Sequence, residues 1–403
     1  MNSIPVTSTY RLASRGMIAV LIAQFFSAMA DNLLFVAAIA LLKTAVGGSA
    51  QLPLLQVVFV FAFIVLAPFV GAIADAFPKG RVMLYANLVK LVGGILILFG
   101  ANPLLGYAIA GVGAAIYSPA KYGILTQLVH PDRLVKANGL LEGSTIAAIL
   151  LGVLVGGWLA DQSIKGAITV AAGLYLLAAV VNFWIPPLPQ IHGLAAGELG
   201  QLPRQFIQNI VVLWHKRDVR FSIMGTSLFW GMGASLRLLM FAWVPLALAL
   251  LDNQVPANLM GLLSIGIVIG AGLAAFSVRL PQVNRALWGG LALGPLMLWL
   301  APQHSFEMSA MILILVGVAG GYFVVPLNAL LQERGQETIG AGRTLAVQNF
   351  FENLAMLVMA SGYFLAITMG TSPVTVAYGF GVLVTLVILT LTRWRLAGVS
   401  RVD

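Results

Sequence analysis

Apolar positions along this chain neither alternate nor keep to a single helical face. They run on for about 18 to 25 residues at a time and then break at short clusters of Gly, Pro, Asn or basic residues. That length lets an α-helix, rising about 1.5 Å per residue, cross a hydrocarbon core about 30 Å thick, and no alternating pattern of barrel strands appears. The runs predict about twelve spanning helices, over 16–42, 53–75, 81–101, 104–127, 138–160, 166–186, 219–250, 258–279, 285–301, 306–331, 344–369 and 373–393. The one long connection, 187–218, opens with "PPLPQIHGLAAGELGQLP", whose prolines and glycines read as a linker. The predicted units are therefore a six-helix bundle over 1–186, a linker over 187–218 and a second bundle over 219–403.

Composition sharpens this picture. Of 403 residues, 60% are hydrophobic and only 9% charged, with a mean hydropathy of +0.98, whereas a soluble domain carries about 25% charged residues. The chain is expected to be an all-α polytopic membrane protein. Its start, "MNSIPVTSTYRLASRGMIAVLIAQ", has basic residues before an apolar run, but the run continues to about Leu42 without a small-residue cleavage site, so it reads as a retained first span. The net charge of +9 in isolation suggests nucleic acid as a partner; its placement argues against that. Arg11, Arg15, Lys79, Arg81, Arg133 and Lys136, then Lys216, Arg217, Arg279, Arg285, Arg334 and Arg343, all fall beside connections on one side, and Arg401 joins them at the end. By the positive-inside rule that side is cytoplasmic, with both termini. The second part of the linker, "RQFIQNIVVLWHKR", then reads as an amphipathic helix on the inner membrane surface. There is no cysteine, and the four histidines, His130, His192, His215 and His304, lie in connections without metal-ligand spacing, so neither metal nor cofactor is expected.

The two halves resemble each other. "SPAKYGILTQL" from Ser118 parallels "VPLNALLQERG" from Val325, and "ANGLLEGSTIAAI" from Ala137 parallels "VQNFFENLAMLVM" from Val347, pairing Pro119 with Pro326 and Glu142 with Glu352. "FSAMADNLL" from Phe26 lies over "FWGMGASLR" from Phe229. Parallel repetition of six helices resembles the plan of major facilitator transporters, which implies twelve transmembrane helices in two pseudo-symmetric bundles rocking about a site near the midplane. "GAIADAFPKGR" resembles that superfamily's signature between helices 2 and 3, with Gly71, Asp75 and Arg81 in place, although Ala76 and Pro78 stand where a basic residue and glycine are usual. Asp75 is expected either to meet the N-terminal end of the eleventh span at "GAGRTL", closing the inner side with Arg81 nearby, or merely to balance Lys79 and Arg81.

A narrower resemblance rests on "AQFFSAMADNLLFVAAIALLK", "APFVGAIADAFPKGRVM", "GVGAAIYSPAKYGIL" and "LVKANGLLEGSTIAAILLG". Together these are similar to the bacterial lysophospholipid transporter family. The resemblance implies flippase-like movement of lysophospholipids from the outer to the inner leaflet of the inner membrane, where an acyltransferase and acyl-carrier-protein synthetase re-esterifies them. Two other classes compete. A proton-coupled exporter of amphipathic drugs on the same fold would use Asp31 and Glu142 as proton sites. An intramembrane lipid enzyme is disfavoured, because no histidine lies in a span, cysteine is absent and no G-x-S-x-G elbow occurs.

Ionisable residues inside spans cost about 2.5 to 3.5 kcal/mol each at the bilayer centre and so become candidates for function. Asp31 lies about 20 Å from the inner end of its helix, and Arg237 reaches a similar depth in the seventh span. The repeat places Arg237 on Leu34, three residues from Asp31, so the two are expected to face each other across a central cavity. Arg237 suits a head-group phosphate and Asp31 an ethanolamine ammonium, with Asn32 a hydrogen-bonding partner; alternatively the charges fix register and Asn32 joins neighbouring helices. Lys90, about 13 Å into the third span, is either a cavity cation or the buried partner of an acid. Nearer the inside, Lys121 and Glu352 come from opposite halves and are expected to bridge as an inner gate, with Lys121 snorkelling to phosphates as the alternative; Glu142 is either a gating residue or an early-helix carboxylate. Gly156 in "GVLVGGWLA" and Gly270 in "GIVIGAGLAA" fit small-residue packing. They also mark the fifth and eighth spans as a candidate lateral opening for the acyl tail, with the second and eleventh as the symmetry-related one.

Overall fold

The computed structural model describes residues 12–44, 52–190, 199–250 and 254–397; Arg11, His192, Arg401 and the linker stretch 191–198 fall outside them. Its helices are α1 (Arg15–Thr44), α2 (Leu52–Ala76), α3 (Lys79–Leu98), α4 (Pro103–Gly123) with a one-turn continuation α5 (Leu125–Leu128), α6 (Leu134–Gln162) and α7 (Ile164–Asn182). After the linker come α8 (Leu202–His215), α9 (Arg217–Ala247), α10 (Gln254–Ser277), α11 (Ala286–Leu300), α12 (Phe306–Gln336), α13 (Ala341–Thr368) and α14 (Pro373–Leu396). No strand occurs among the described residues. Eleven of these elements are long and apolar enough to cross a membrane. The ninth predicted span is α11, only 15 residues long and entered through a 3-10 turn at Leu280–Arg285.

Helices prevail because hydrocarbon offers no partner to a backbone amide, so every N–H and C=O must be satisfied within its own segment. The ends are marked locally. Asn102 accepts from the Leu104 amide at 2.8 Å with Pro103 at the first helical position of α4, and Ser163, Ser305 and Ser372 cap α7, α12 and α14 in the same way.

Within the first half α1 packs on α6 and α7, and α3 and α4 on each other; within the second, α10 packs on α12, α9 on α13, and α11 on α12 and α14. The halves meet through α2 with α13, α6 with α10 and α12, and α4 with α13. The linker helix α8 crosses this junction, resting on α2, α9 and α13. It buries Leu202, Phe206 and Leu213 on that side and leaves Ile207, Val211 and Val212 exposed on the other, so the expected surface helix is docked as well as amphipathic.

Without a hydrophobic drive between helices in lipid, close packing decides which helices join. A Cβ on Gly270 would strike the Val318 carbonyl and come within 2.9 Å of the Tyr322 nitrogen, both on α12; one on Gly156 would lie 3.1 Å from the Leu33 backbone on α1. Both glycines therefore serve contacts inside one half, which corrects their expected place at a lateral opening between α6 and α10. That seam is made instead by Gly139 against Ala271 and Ala275, and by Gly143 near Val268. The sequence could not separate these, because glycines recur on several faces of each helix.

Gly270→Leu is expected to destabilise the protein by more than about 2 kcal/mol, since backbone cannot retreat from an added side chain. Gly157→Leu, one residue beyond Gly156 and with nothing within 4 Å of its added Cβ, is expected to stay within about 0.5 kcal/mol of the parent. Size-exclusion profiles of purified protein after graded heating check both; equal behaviour of the two variants would contradict the packing assigned here.

Candidate functional site

The end carrying the basic connections is closed. Asp75, fully buried at the end of α2, accepts the Gly342 and Arg343 amides at 2.9 Å each, on the first turn of α13. A carboxylate is favoured there by the orphan amides and the positive end of the helix dipole. Gly340 precedes that turn with φ +96°, and a Cβ there would lie 2.6 Å from the Asp75 carboxylate, so only glycine lets the chain turn this close to it. Lys79 completes the latch with an ion pair to Asp75 at 3.3 Å. The expected partner Arg81 is exposed and not part of it, because one turn of α3 rotates it to the surface.

Deeper, amides join the halves. Asn138 on α6 donates to Gln332 on α12 at 2.9 Å and Gln332 donates back at 2.7 Å, both side chains fully buried. Asn328 donates to Glu142 at 3.2 Å, and the Tyr122 hydroxyl donates to the same oxygen at 2.7 Å. Asn349 on α13 donates to Ser118 on α4 at 2.9 Å. Glu352 accepts from Gln348 at 2.7 Å, and Gln348 also reaches Asn328 at 2.7 Å. Lys121, 8% exposed, lies over the Tyr122 ring at 4.1 Å and within electrostatic reach of Glu142 and Glu352, but no ion pair joins it to either. The predicted Lys121–Glu352 bridge is thus corrected: in this closed mouth Gln348 occupies Glu352 and the ring of Tyr122 holds Lys121. Glu142 does join the two halves.

The opposite end is open. Along α13, residues 344–349 are buried, whereas 357, 358, 361, 362, 364 and 365 are exposed, and α1 makes no extended contact with α9. Into this gap points Arg237 from α9. Its side chain is exposed, it has no hydrogen bond or ion pair among the described residues, and it lies within electrostatic reach of Tyr107 on α4, in the other half.

Asp31 is also in reach of Tyr107, but its expected pairing with Arg237 is not what forms. Lys90 on α3 donates to Asp31 Oδ2 at 2.8 Å and to Ser27 at 2.9 Å, and the Tyr175 hydroxyl donates to Asp31 Oδ1 at 2.9 Å. Ser27 passes a further hydrogen bond to Asn87 at 2.7 Å, while the rings of Tyr117 and Tyr175 flank the ammonium at 4.9 and 5.8 Å. Lys90 is 2% and Asp31 18% exposed. An ammonium buried this far requires a carboxylate, and Asp31 of the same bundle supplies it, which commits Asp31 away from Arg237 across the gap. Of the two readings of Lys90, the buried partner holds. Asn32 donates back along its own helix to the Ala28 carbonyl at 2.9 Å and its Cβ borders Gly152 on α6.

Residues that sequence reasoning passed over are Tyr175, Asn138, Asn328, Gln332, Gln348 and Asn349, whereas Lys79 was expected as the alternative partner of Asp75 and does pair with it. The repeat held a signal for one pair, since Asn138 and Gln348 occupy equivalent positions four residues before Glu142 and Glu352.

Asn138→Leu leaves the Gln332 amide buried and unpaired, at a cost of about 1 to 3 kcal/mol. In a chain with no native cysteine, a probe at Thr126→Cys, whose hydroxyl meets Gln336 across the mouth at 3.5 Å, is expected to alkylate about tenfold faster in that variant. Adding Gln332→Leu is expected to restore slow labelling, and unchanged labelling in Asn138→Leu would show that this amide pair does not hold the mouth.

The Major Facilitator Superfamily model matches residues 20–360. A fucose:proton symporter of Escherichia coli has the same fold, with a TM-score of 0.75 at 14% identity, covering 96% of this chain and 99% of its own. The protein named lysophospholipid transporter LplT of Photorhabdus laumondii is 50% identical over 383 residues, 95% of this chain and 96% of the relative. That of Escherichia coli O1:K1 is 50% identical over 384 residues, 95% and 97% of the two chains. Likeness of that degree over nearly the whole length places more than the fold in common, and this chain belongs to the lysophospholipid transporter family of the major facilitator superfamily.

Proposed function

We propose that this protein is a flippase-like transporter that carries lysophospholipids from the outer to the inner leaflet of the bacterial inner membrane, both termini being cytoplasmic. It works by alternating access between an N-terminal bundle, 1–186, and a C-terminal bundle, 219–403, joined by the linker 187–218. The substrate leaves with its covalent bonds unchanged, and an acyltransferase/acyl-carrier-protein synthetase is its functional partner, re-acylating the lipid delivered.

The observation that carries this reading is the state of Arg237, a guanidinium exposed in the gap at the open end with no hydrogen bond or ion pair among the described residues. A free guanidinium held at membrane depth selects an anion, and its planar fork fits two phosphate oxygens. Across the gap, Lys90 and Asp31 neutralise each other, so Asp31 is not engaged by Arg237 and the guanidinium is left for the one negative charge of a phosphodiester. The exposed edge of Asp31 is the place for an ethanolamine ammonium, with Lys90 behind it and the Asn32 carbonyl oxygen as a neutral acceptor. Opening of the inner mouth then breaks the Asp75 latch and the Asn138–Gln332 pair together, and Glu142 parts from Asn328.

Each tail CH₂ prefers lipid to water by about 0.8 kcal/mol, so the tail stays in the bilayer while the head group crosses. The slot that suits this is between α2 and α13, where α13 is exposed from residue 357 outward.

In proteoliposomes carrying labelled lysophosphatidylethanolamine, Arg237→Ala is expected to slow flipping about tenfold or more with protein levels intact, and Arg237→Lys to recover only part, because an ammonium lacks the fork. Lys90→Met leaves Asp31 uncompensated, costs about 3 to 5 kcal/mol and is expected to lower the amount of folded protein; Asp31→Asn with Lys90→Met is expected to restore folding. Normal flipping by well-folded Arg237→Ala would end this assignment. Gly362→Trp, on the exposed stretch of α13 and with nothing within 4 Å of its added Cβ, is expected to impair a long-chain lysolipid more than a soluble glycerophosphodiester with the same head group. Equal loss for both would place the tail elsewhere.

A further inference from the structure

Four tyrosines of the first half stand near the buried charges, and the hydroxyls of three are engaged or enclosed. Tyr175 donates to Asp31 and Tyr122 to Glu142, while the Tyr117 hydroxyl is sealed inside the bundle. Tyr107 differs from all three. It is 6% exposed, its hydroxyl has no hydrogen bond among the described residues, and that oxygen is not one of the enclosed ones, so the little surface the residue keeps includes the hydroxyl. The ring is held on two sides, stacked on Phe59 of α2 with centroids 5.1 Å apart and tilted against Phe35 of α1 at 5.5 Å. Tyr107 lies about one turn into α4, within electrostatic reach of Asp31 in its own half and of Arg237 in the other. The phenol is therefore a fixed and uncommitted donor on the wall of the gap that faces the Arg237 guanidinium.

We infer that Tyr107 is a second binding group for the phosphate of the lysolipid head group, donating its hydroxyl to a non-bridging oxygen from the first half while Arg237 holds the same phosphate from the second. A planar fork on one side of a phosphodiester leaves acceptor capacity on the other, and a hydrogen bond to that charge is stronger than one between neutral groups. The Lys90 ammonium at this depth cannot turn to a ligand without stranding Asp31. The Tyr107 hydroxyl can bind without breaking any contact. A phenol also suits the empty state, since it carries no charge that would need compensation in the membrane, and its packed ring has little rotamer freedom left to lose on binding. The inference rests on the assignment of Arg237 to the head-group phosphate and adds its partner on the facing wall.

Tyr107→Phe keeps the ring and strands no partner, so the full-length variant is expected to fold, which size exclusion checks. In proteoliposomes it is expected to raise the half-saturating content of lysophosphatidylethanolamine about tenfold, the scale of one hydrogen bond to a charged group, with the maximal rate within about twofold of the parent. Lysophosphatidylglycerol has the same phosphodiester and no ammonium. It is expected to compete in the parent and to lose affinity by the same factor in Tyr107→Phe. In an Arg237→Lys background, Tyr107→Phe is expected to cost less than about threefold, because two groups on one phosphate are coupled, whereas a packing role for the residue would leave its effect unchanged. Unaltered saturation by folded Tyr107→Phe, or full additivity with Arg237→Lys, would overturn the inference. So would a loss confined to lysophosphatidylethanolamine, or no competition by lysophosphatidylglycerol, since either would put the hydroxyl on the ammonium. Normal flipping by Arg237→Ala would remove the reading beneath the inference, whereas slow flipping by Arg237→Ala with normal saturation by Tyr107→Phe would overturn the inference alone.

Discussion

In a bundle surrounded by hydrocarbon, an unpaired charge costs more than any single packing contact returns, and that constraint decides which polar residues of this protein meet. Asp31 and Lys90 could each be tolerated in the first half only together. Two helices of one bundle bring them to 2.8 Å, and Tyr175, Ser27 and Asn87 occupy the remaining hydrogen-bonding positions. Asp31 is thereby committed within the first half, and the guanidinium of Arg237, with no ion pair among the described residues, remains exposed where the halves separate.

The closed end follows the same rule with different chemistry. A gate that must open cannot rest on contacts whose loss strands a charge in lipid. Here the contacts between the halves are an amide pair, Asn138 with Gln332, an amide-to-carboxyl bond, Asn328 with Glu142, and a carboxylate on a helix terminus. When the halves separate, water can reach each of these, and Asp75 keeps Lys79 on its own side of the junction. Lys121 stays with the ring of Tyr122, within one helix. No ion pair joins the two halves among the described residues, so none would be broken by their separation.

The spans were legible in the sequence because lipid imposes length and apolarity on each segment independently of the others; even α11 stands within a residue of its predicted bounds. The latch was legible for a related reason, since Asp75 and "GAGRTL" are local signals of a helix end. Pairings inside the membrane were not. Asp31 was matched to Arg237 by depth while the acid partner of Lys90 was left open, and choosing between Lys90 and Arg237 depends on the rotation of α3 and on how far the halves are opened, neither of which periodicity encodes. Gly156 and Gly270 failed in the same way, because a glycine signals a close approach without saying by which neighbour. Asn138 and Gln348 were recoverable, as an amide standing four residues before Glu142 and Glu352 in both halves needs a hydrogen-bond partner once buried.

The pseudo-symmetry explains why the two halves nonetheless do different things. The alignment that places Glu142 on Glu352 also places Lys121 on Asn328, so a strictly symmetric mouth would have Glu352 meeting Lys121 as Glu142 meets Asn328. Only the neutral member of that pair of contacts forms, and Glu352 turns to Gln348 instead. An amide-to-carboxylate contact tolerates the junction between moving halves, whereas a lysine placed there would have to be stripped of every other partner whenever the mouth closed. The chain has kept the repeat's backbone and varied its polar side chains: the first half carries the self-neutralised pair, the second carries the free guanidinium, and the join between them is left to groups that water can replace.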